Sequence, residues 1–159
     1  MTMVSPPQIS CSALFLADHA SVESGKLYVN GGYWNRLQFP SFPTYYTFSV
    51  AAVLLVPWHD HKQHEFSIHF TTADGKRVGG ELSGNFSAGT LPGAKEGDPS
   101  VFPIAATIGN FLLERSGDYE VVIEVDGQAL DRWSFGVSQQ LSAFGHVAPV
   151  DASSIPPAK

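Results

Sequence analysis

Residues 117–137 read GDYEVVIEVDGQALDRWSFGV and set the fold class of the chain. Apolar side chains occupy alternate positions from Tyr119 to Val125, an Asp-Gly pair follows, and the alternation resumes from Trp133 to Val137. Alternation is the side-chain period of a half-buried β-strand, and Asp-Gly between two such stretches is typical of a tight turn. The segment therefore predicts an antiparallel β-hairpin.

The returning strand of this hairpin carries one residue too many. A two-residue turn pairs Val125 with Gln128, and counting on from that pair turns Trp133 away from the apolar face. One extra residue restores the face. We therefore predict a β-bulge within 129–131, or a three-residue loop instead of the two-residue turn.

A second hairpin surrounds the Asp-Gly pair at 74–75. Residues 65–71 alternate, with phenylalanine and isoleucine predicted inward and polar residues, among them His69 and Thr71, predicted outward. The returning stretch 76–86 is rich in glycine, which favours a bulged or edge strand.

Turn signals of this kind recur along the chain and predict the overall fold. We expect about seven to nine strands in one antiparallel β-sandwich of immunoglobulin-like or jelly-roll type, spanning residues 10–137. Residues 1–9 contain a Pro-Pro pair and are predicted to be a flexible lead. Residues 138–159, rich in small residues and proline, are predicted to be a largely disordered tail.

The composition restricts the partners and the compartment. Charged residues form only 15% of the chain, against about 25% in typical domains, and the net charge is −6. The basic residues are scattered, so neither nucleic acid nor an anionic membrane is an expected partner. The single cysteine, Cys11, allows no intrachain disulfide, and the N-terminus lacks the charged and apolar regions of a signal peptide. We expect a cytoplasmic protein.

The stretch 44–56 suggests how the protein functions. Its second half, residues 51–56, is apolar on both faces, and such a strand in an antiparallel sheet must be covered on both. Either another segment of the chain or a second subunit provides the second cover. We therefore predict a non-enzymatic interaction or assembly module that forms a homo-oligomer or binds another protein. The candidate interface residues, from this strand and the aromatic segment 33–48, are Tyr33, Trp34, Phe39, Phe42, Tyr45, Val53 and Leu55.

Two other binding functions stay open. The aromatic segment 33–48 also contains polar side chains and could stack a carbohydrate or another small molecule. Three histidines, His59, His61 and His64, could hold zinc or a similar ion, whereas a polar turn containing Lys62 would explain the same residues without a metal. No other cofactor is expected.

The chain contains no recognisable catalytic motif. Its serines lie outside any nucleophile elbow, and its paired glycines are not followed by a helix that could bind phosphate. Glu120 and Glu124 are predicted to face solvent rather than to form an acid–base pair. We predict no catalytic residues and no enzymatic activity.

Several motifs carry a family resemblance. Residues 17–32 contain ADHA followed by ESGKLYVNGG, an aromatic and proline-rich segment comes next, and the GDYE hairpin closes the domain. The chain resembles a family of small bacterial proteins of unknown function, frequent in actinobacteria, over residues 13–137. The resemblance implies a β-domain and no established activity, so it assigns no functional residue.

Overall fold

A computed structural model describes residues 7–141. Within these residues the chain forms nine β-strands and no helix. Accordingly, this part of the chain contains no helix that is long and apolar enough to cross a membrane. The strands are β1 (Ser10–Glu23), β2 (Lys26–Trp34), β3 (Arg36–Phe39), β4 (Thr44–Val56), β5 (His64–Thr72), β6 (Arg77–Phe86), β7 (Ser100–Leu113), β8 (Gly117–Val125) and β9 (Gln128–Gln139).

The strands form two sheets that pack face to face. The four-stranded sheet has the order β2-β1-β4-β7, and the five-stranded sheet has the order β3-β9-β8-β5-β6. All neighbours are antiparallel except β3 and β9, which are parallel. The predicted all-β sandwich is therefore confirmed, with the strand count at the upper end of the expected range.

The core lies between the two sheets and is built largely from aromatic rings. Phe48 of β4 is fully buried at its centre. Its ring centroid lies 5.7 Å from those of Phe70 and Phe111, in edge-to-face geometry. Three further rings surround it within 6.3 Å, namely Trp34, Tyr46 and Phe135. Aromatic pairs of this kind add to the free energy gained by burial alone.

The closing hairpin contains the bulge that the sequence predicts. Ile123 pairs with Asp131 and Glu124 pairs with Ala129, so Leu130 is the extra residue. After this shift Trp133 lies opposite Val121, on the apolar face of the sheet. The predicted bulge within 129–131 is therefore confirmed.

Two strands are longer than the sequence patterns indicate. β1 continues past its apolar first half to Glu23, because its polar second half pairs with β2 as an outlying hairpin. β7 continues to Leu113 and absorbs Gly109 and Asn110 as an irregularity in its pairing with β4.

His69 and Thr71 correct the predicted burial of β5. Both were expected to face solvent, yet they are 6% and 7% exposed. β5 is an inner strand between β6 and β8, and His69 lies directly opposite the buried Val122 on β8. Neighbouring side chains on both sides therefore cover the middle of this face.

The predicted terminal segments fall mostly outside the described residues. Of the predicted lead, residues 1–6 are not described, and of the predicted tail, residues 142–159 are not. β9 continues to Gln139, two residues beyond the predicted domain boundary at 137.

Candidate interaction surface

The outward side of the four-stranded sheet carries no charged residue over four consecutive rows. Paired residues of antiparallel strands point to the same face, and the residues between these rows, such as Leu54 and Ala52, belong to the core. We call these rows the outer face. Its rows are Val101–Leu55–Ser10, Pro103–Val53–Ala13, Ala105–Ala51–Phe15 and Thr107–Ser49–Ala17.

One end of the outer face is covered by the chain itself. Ala17 and Ala51 are completely buried although they point away from the core. They form a second small cluster with Ala20, against which Leu27 of β2 packs. β2 also contacts β7, although these strands are at opposite edges of the sheet. The β1–β2 hairpin therefore curls over this end of the outer face.

The other end of the outer face lies beyond this cover. Val53 and Leu55 are half-buried, and Val101 beside Leu55 is 59% exposed. Leu55 also borders a pocket of about 480 Å³ whose wall includes Trp58 and Pro57. The outward side of the doubly apolar stretch is thus fully covered at Ala51 and partly covered at Val53 and Leu55, around which an apolar surface remains.

The aromatic segment divides into core and surface residues. Trp34, Phe39 and Phe42 pack against the core, so most of their surface is not accessible to a partner. Tyr33 and Tyr45 are 72% and 66% exposed. Only these two of the five candidate interface residues in the segment present their rings to solvent.

Tyr33 lies where the chain crosses from one sheet to the other. It is the extra residue in the pairing of β1 with β2, and its φ of 68° is rare for a bulky side chain. Its ring centroid lies 4.8 Å from that of Trp133 and 5.8 Å from that of Phe15. The Trp133 Nε1–H donates a hydrogen bond to the Trp34 carbonyl at 3.2 Å. Three aromatic rings from two sheets thus form one cluster with an exposed tyrosine.

The predicted metal-binding histidines do not converge. His59 and His61 are exposed, whereas His64 is buried and both of its ring nitrogens are occupied. Nε2 lies 2.8 Å from Asp60 Oδ1, and Nδ1 lies 2.6 Å from Asp126 Oδ2. Within residues 7–141 no three side chains of the metal-ligating types are grouped so that they could hold an ion. His64 could bind a metal only after losing a carboxylate partner.

Asp60, His64 and Asp126 instead form what we call the His64 clasp. Asp126 is further fixed because its Oδ1 accepts the Glu65 backbone N–H, and Asp60 Oδ1 accepts that of Lys62. The clasp ties the connection after β4 to the turn between β8 and β9. No local pattern indicates this contact, because Asp126 is 62 residues from His64 and its place in a turn already explains an aspartate.

The electrostatics of the clasp favour a charged imidazolium. Burial lowers the pKa of His64, but hydrogen bonds to Asp126 and Asp60 outweigh this effect, so the pKa is raised above 6.5. The hydrogen bond to His64 lowers the pKa of Asp126 below 3.8. Burial raises the pKa of Asp60, and the bonds to His64 and to the Lys62 backbone lower it by more. A positive ring between two carboxylates is the stable state.

Two further titratable side chains are held in their neutral forms. Burial, followed by the charge of Asp131, raises the pKa of the Cys11 thiol to about 11. A thiol with this pKa is a poor nucleophile at neutral pH, which agrees with the half-buried position of Cys11 beside the core. Burial lowers the pKa of His69, which also favours the neutral form of that side chain.

Comparison with known proteins identifies the family. A sequence model described as "Family of unknown function (DUF6941)" matches residues 12–138. The chain belongs to this family. The matched span agrees with the 13–137 over which the motifs indicate a resemblance. No curated protein matches this DUF6941 chain.

Solved structures add little to this assignment. The chain is similar to a Pseudomonas fluorescens alkylpurine DNA glycosylase, AlkC, bound to DNA containing an abasic site analog. The identity is 10%, the TM-score is 0.38, and the similarity covers 79% of this chain and 30% of the glycosylase chain. A likeness at this level carries no argument about function.

Proposed function

We propose that this DUF6941 protein is a non-enzymatic, cytoplasmic module that self-associates through the uncovered end of its outer face. The observation that supports this function is the apolar surface around Val53, Leu55 and Val101, which lies beyond the part of the outer face that the β1–β2 hairpin covers. Removing apolar surface from water contributes about 25 cal/mol per Å², and the part that exceeds the entropic cost of association appears as affinity. The cytoplasm suits a chain whose one cysteine can form no intrachain disulfide.

A second copy of the chain suits this surface better than a charged partner. The chain has a net charge of −6, and none of its charged residues lies in the four rows of the outer face. Two outer faces packed together would therefore bury no charge, which avoids a desolvation cost. Flat sheet faces pack at about 10 Å in this way in many β-proteins.

Replacing Val53 and Leu55 together by serine should weaken this assembly. We expect the double variant to show at most half the mass of the wild type in light scattering across a dilution series, because both side chains lose their apolar contact. Leu91→Ser is the control, since Leu91 is 64% exposed in the loop before β7. A wild-type protein that is monomeric at every concentration would contradict the proposal.

Binding of a carbohydrate or another planar ligand is a second candidate function. It is favoured by the exposed Tyr33 ring, which is supported from behind by Trp133 and Phe15. An aromatic ring held in this way offers a rigid apolar face on which a sugar can stack.

This function predicts a fluorescence change on ligand binding. A glycan that binds should alter the emission of Trp133, since its ring lies next to Tyr33, and Tyr33→Ala should weaken the binding at least tenfold. Tyr45→Ala serves as the control, because Tyr45 is comparably exposed. If no sugar on a glycan array binds the wild type, carbohydrate is not the ligand.

A further inference from the structure

The free edge of β7 is unusually open to pairing. β7 pairs with β4 on one side, and within the described residues no strand pairs with its other side. Its register with β4 is unbroken over residues 100–108. At the first residue of β7, Ser100 Oγ donates a hydrogen bond to the Gly89 carbonyl of the preceding loop. A row of backbone N–H and C=O groups is therefore left without a strand partner.

The other three edges carry features that oppose pairing with another chain. β2 begins with Lys26, β3 has only four residues and includes Arg36, and β6 carries Arg77 and Glu81 beside several glycines. Charges, shortness and irregularity are the usual protections of an edge strand. β7, in contrast, has fourteen residues and no charge. Its one protective residue in the unbroken stretch is Pro103.

Pro103 also indicates which backbone groups are free. Proline is tolerated in an edge strand where its nitrogen faces away from the neighbouring strand. Residues alternate in the direction of their backbone groups, so Val101, Ala105 and Thr107 share the free side with Pro103. Val101 and Thr107 have exposed side chains. The edge thus keeps three N–H donors and four carbonyl acceptors.

We propose that β7 pairs antiparallel with β7 of a second copy, so that two four-stranded sheets join into one. This contact rests on the proposed self-association and adds a second interface to it. Antiparallel pairing of identical strands is two-fold symmetric, and here it places no like charges opposite each other, because β7 has none.

Two interfaces on one chain predict an assembly larger than a dimer. The outer face is parallel to the plane of the four-stranded sheet, whereas the β7 edge pairs within that plane, so the two contacts lie in different directions. Two different two-fold contacts close as a tetramer or continue as a chain of copies. We expect wild-type assemblies of at least four chains of 17.1 kDa each.

A lysine substitution on the edge tests this contact. Thr107→Lys places a charged side chain on an edge that otherwise has none, which opposes strand pairing, so it should at least halve the mass measured by light scattering. Ser83→Lys is the matched control, since Ser83 is exposed on β6, the edge strand of the other sheet, and it should leave the mass unchanged. Hydrogen exchange should show slow amides at Val101, Ala105 and Thr107 in the wild type and fast amides in Thr107→Lys.

The outcomes separate this interface from the outer face. Combining Thr107→Lys with the serine changes at Val53 and Leu55 should give a monomer, whereas either set alone should give a dimer. Wild-type mass in Thr107→Lys, or rapid exchange of the three edge amides in the assembled protein, would overturn the β7 pairing and leave the outer-face interface to its own test. A monomeric wild type would overturn both.

Discussion

Phe48→Ala should lower the free energy of unfolding by about 3–5 kcal/mol, the largest effect expected of any single substitution. Phe48 is fully buried, and five other aromatic rings surround it from both sheets. Removing its ring leaves a cavity that these large neighbours cannot fill without leaving their own contacts. Chemical denaturation monitored by tryptophan fluorescence measures the change.

The matched control for Phe48 is an exposed aromatic residue on the same strand. Tyr45→Ala removes a ring of similar size that is 66% exposed, so its effect should stay within about 0.5 kcal/mol. Both variants must be compared at one protein concentration, because self-association adds to the apparent stability. Equal destabilisation by the two substitutions would show that the core is not centred on Phe48.

His64→Gln should lower the free energy of unfolding by about 1–3 kcal/mol at mildly acidic pH, a large effect for a polar residue. Glutamine cannot donate to both carboxylates along the directions that the imidazolium uses, so Asp60 or Asp126 loses a charged partner. The Asp126 side chain is half-exposed, and water offsets part of its loss. His61→Gln is the control, since His61 is exposed and should be neutral to stability.

The His64 clasp also predicts how stability depends on pH. The pKa of His64 is raised in the folded state, so its contribution is complete below 6.5 and disappears as pH rises through the folded pKa. The pKa values of Asp60 and Asp126 are lowered, so their contribution is present above 3.8 and disappears as pH falls through the folded values. The clasp therefore stabilises the folded state most between pH 3.8 and pH 6.5, where His64 and both aspartates are charged.

Melting temperatures across this pH range provide the measurement. The difference between wild type and His64→Gln should be largest at about pH 5 and should shrink as pH rises through the raised pKa of His64, where the wild-type ring loses its charge. Parallel melting curves for the two proteins at every pH would show that His64 is not charged in the fold.

Local patterns were enough to predict most of the strands, because apolar alternation over a few residues identifies the buried face of a strand. Alternation and the Asp-Gly turns located both hairpins, and the miscount after Gln128 located the bulge at Leu130. Where a strand consists mostly of polar residues, as from Asp18 to Glu23, the apolar alternation stops although backbone pairing with the neighbouring strand continues. Backbone hydrogen bonds do not depend on side-chain polarity, so composition alone could not give this boundary.

The candidate sites likewise combine features that the sequence determines with features that depend on tertiary packing. The sequence by itself determined that β4 is apolar on both faces and requires two covers, because burial of apolar side chains dominates folding free energy. Only the tertiary structure decided that the β1–β2 hairpin covers Ala51 while Val53 and Leu55 stay partly accessible. It also decided that β7 is an edge strand and that His64 forms a hydrogen bond with Asp126. These features join residues far apart in the chain, and such contacts arise from the packing of whole strands rather than from any local pattern.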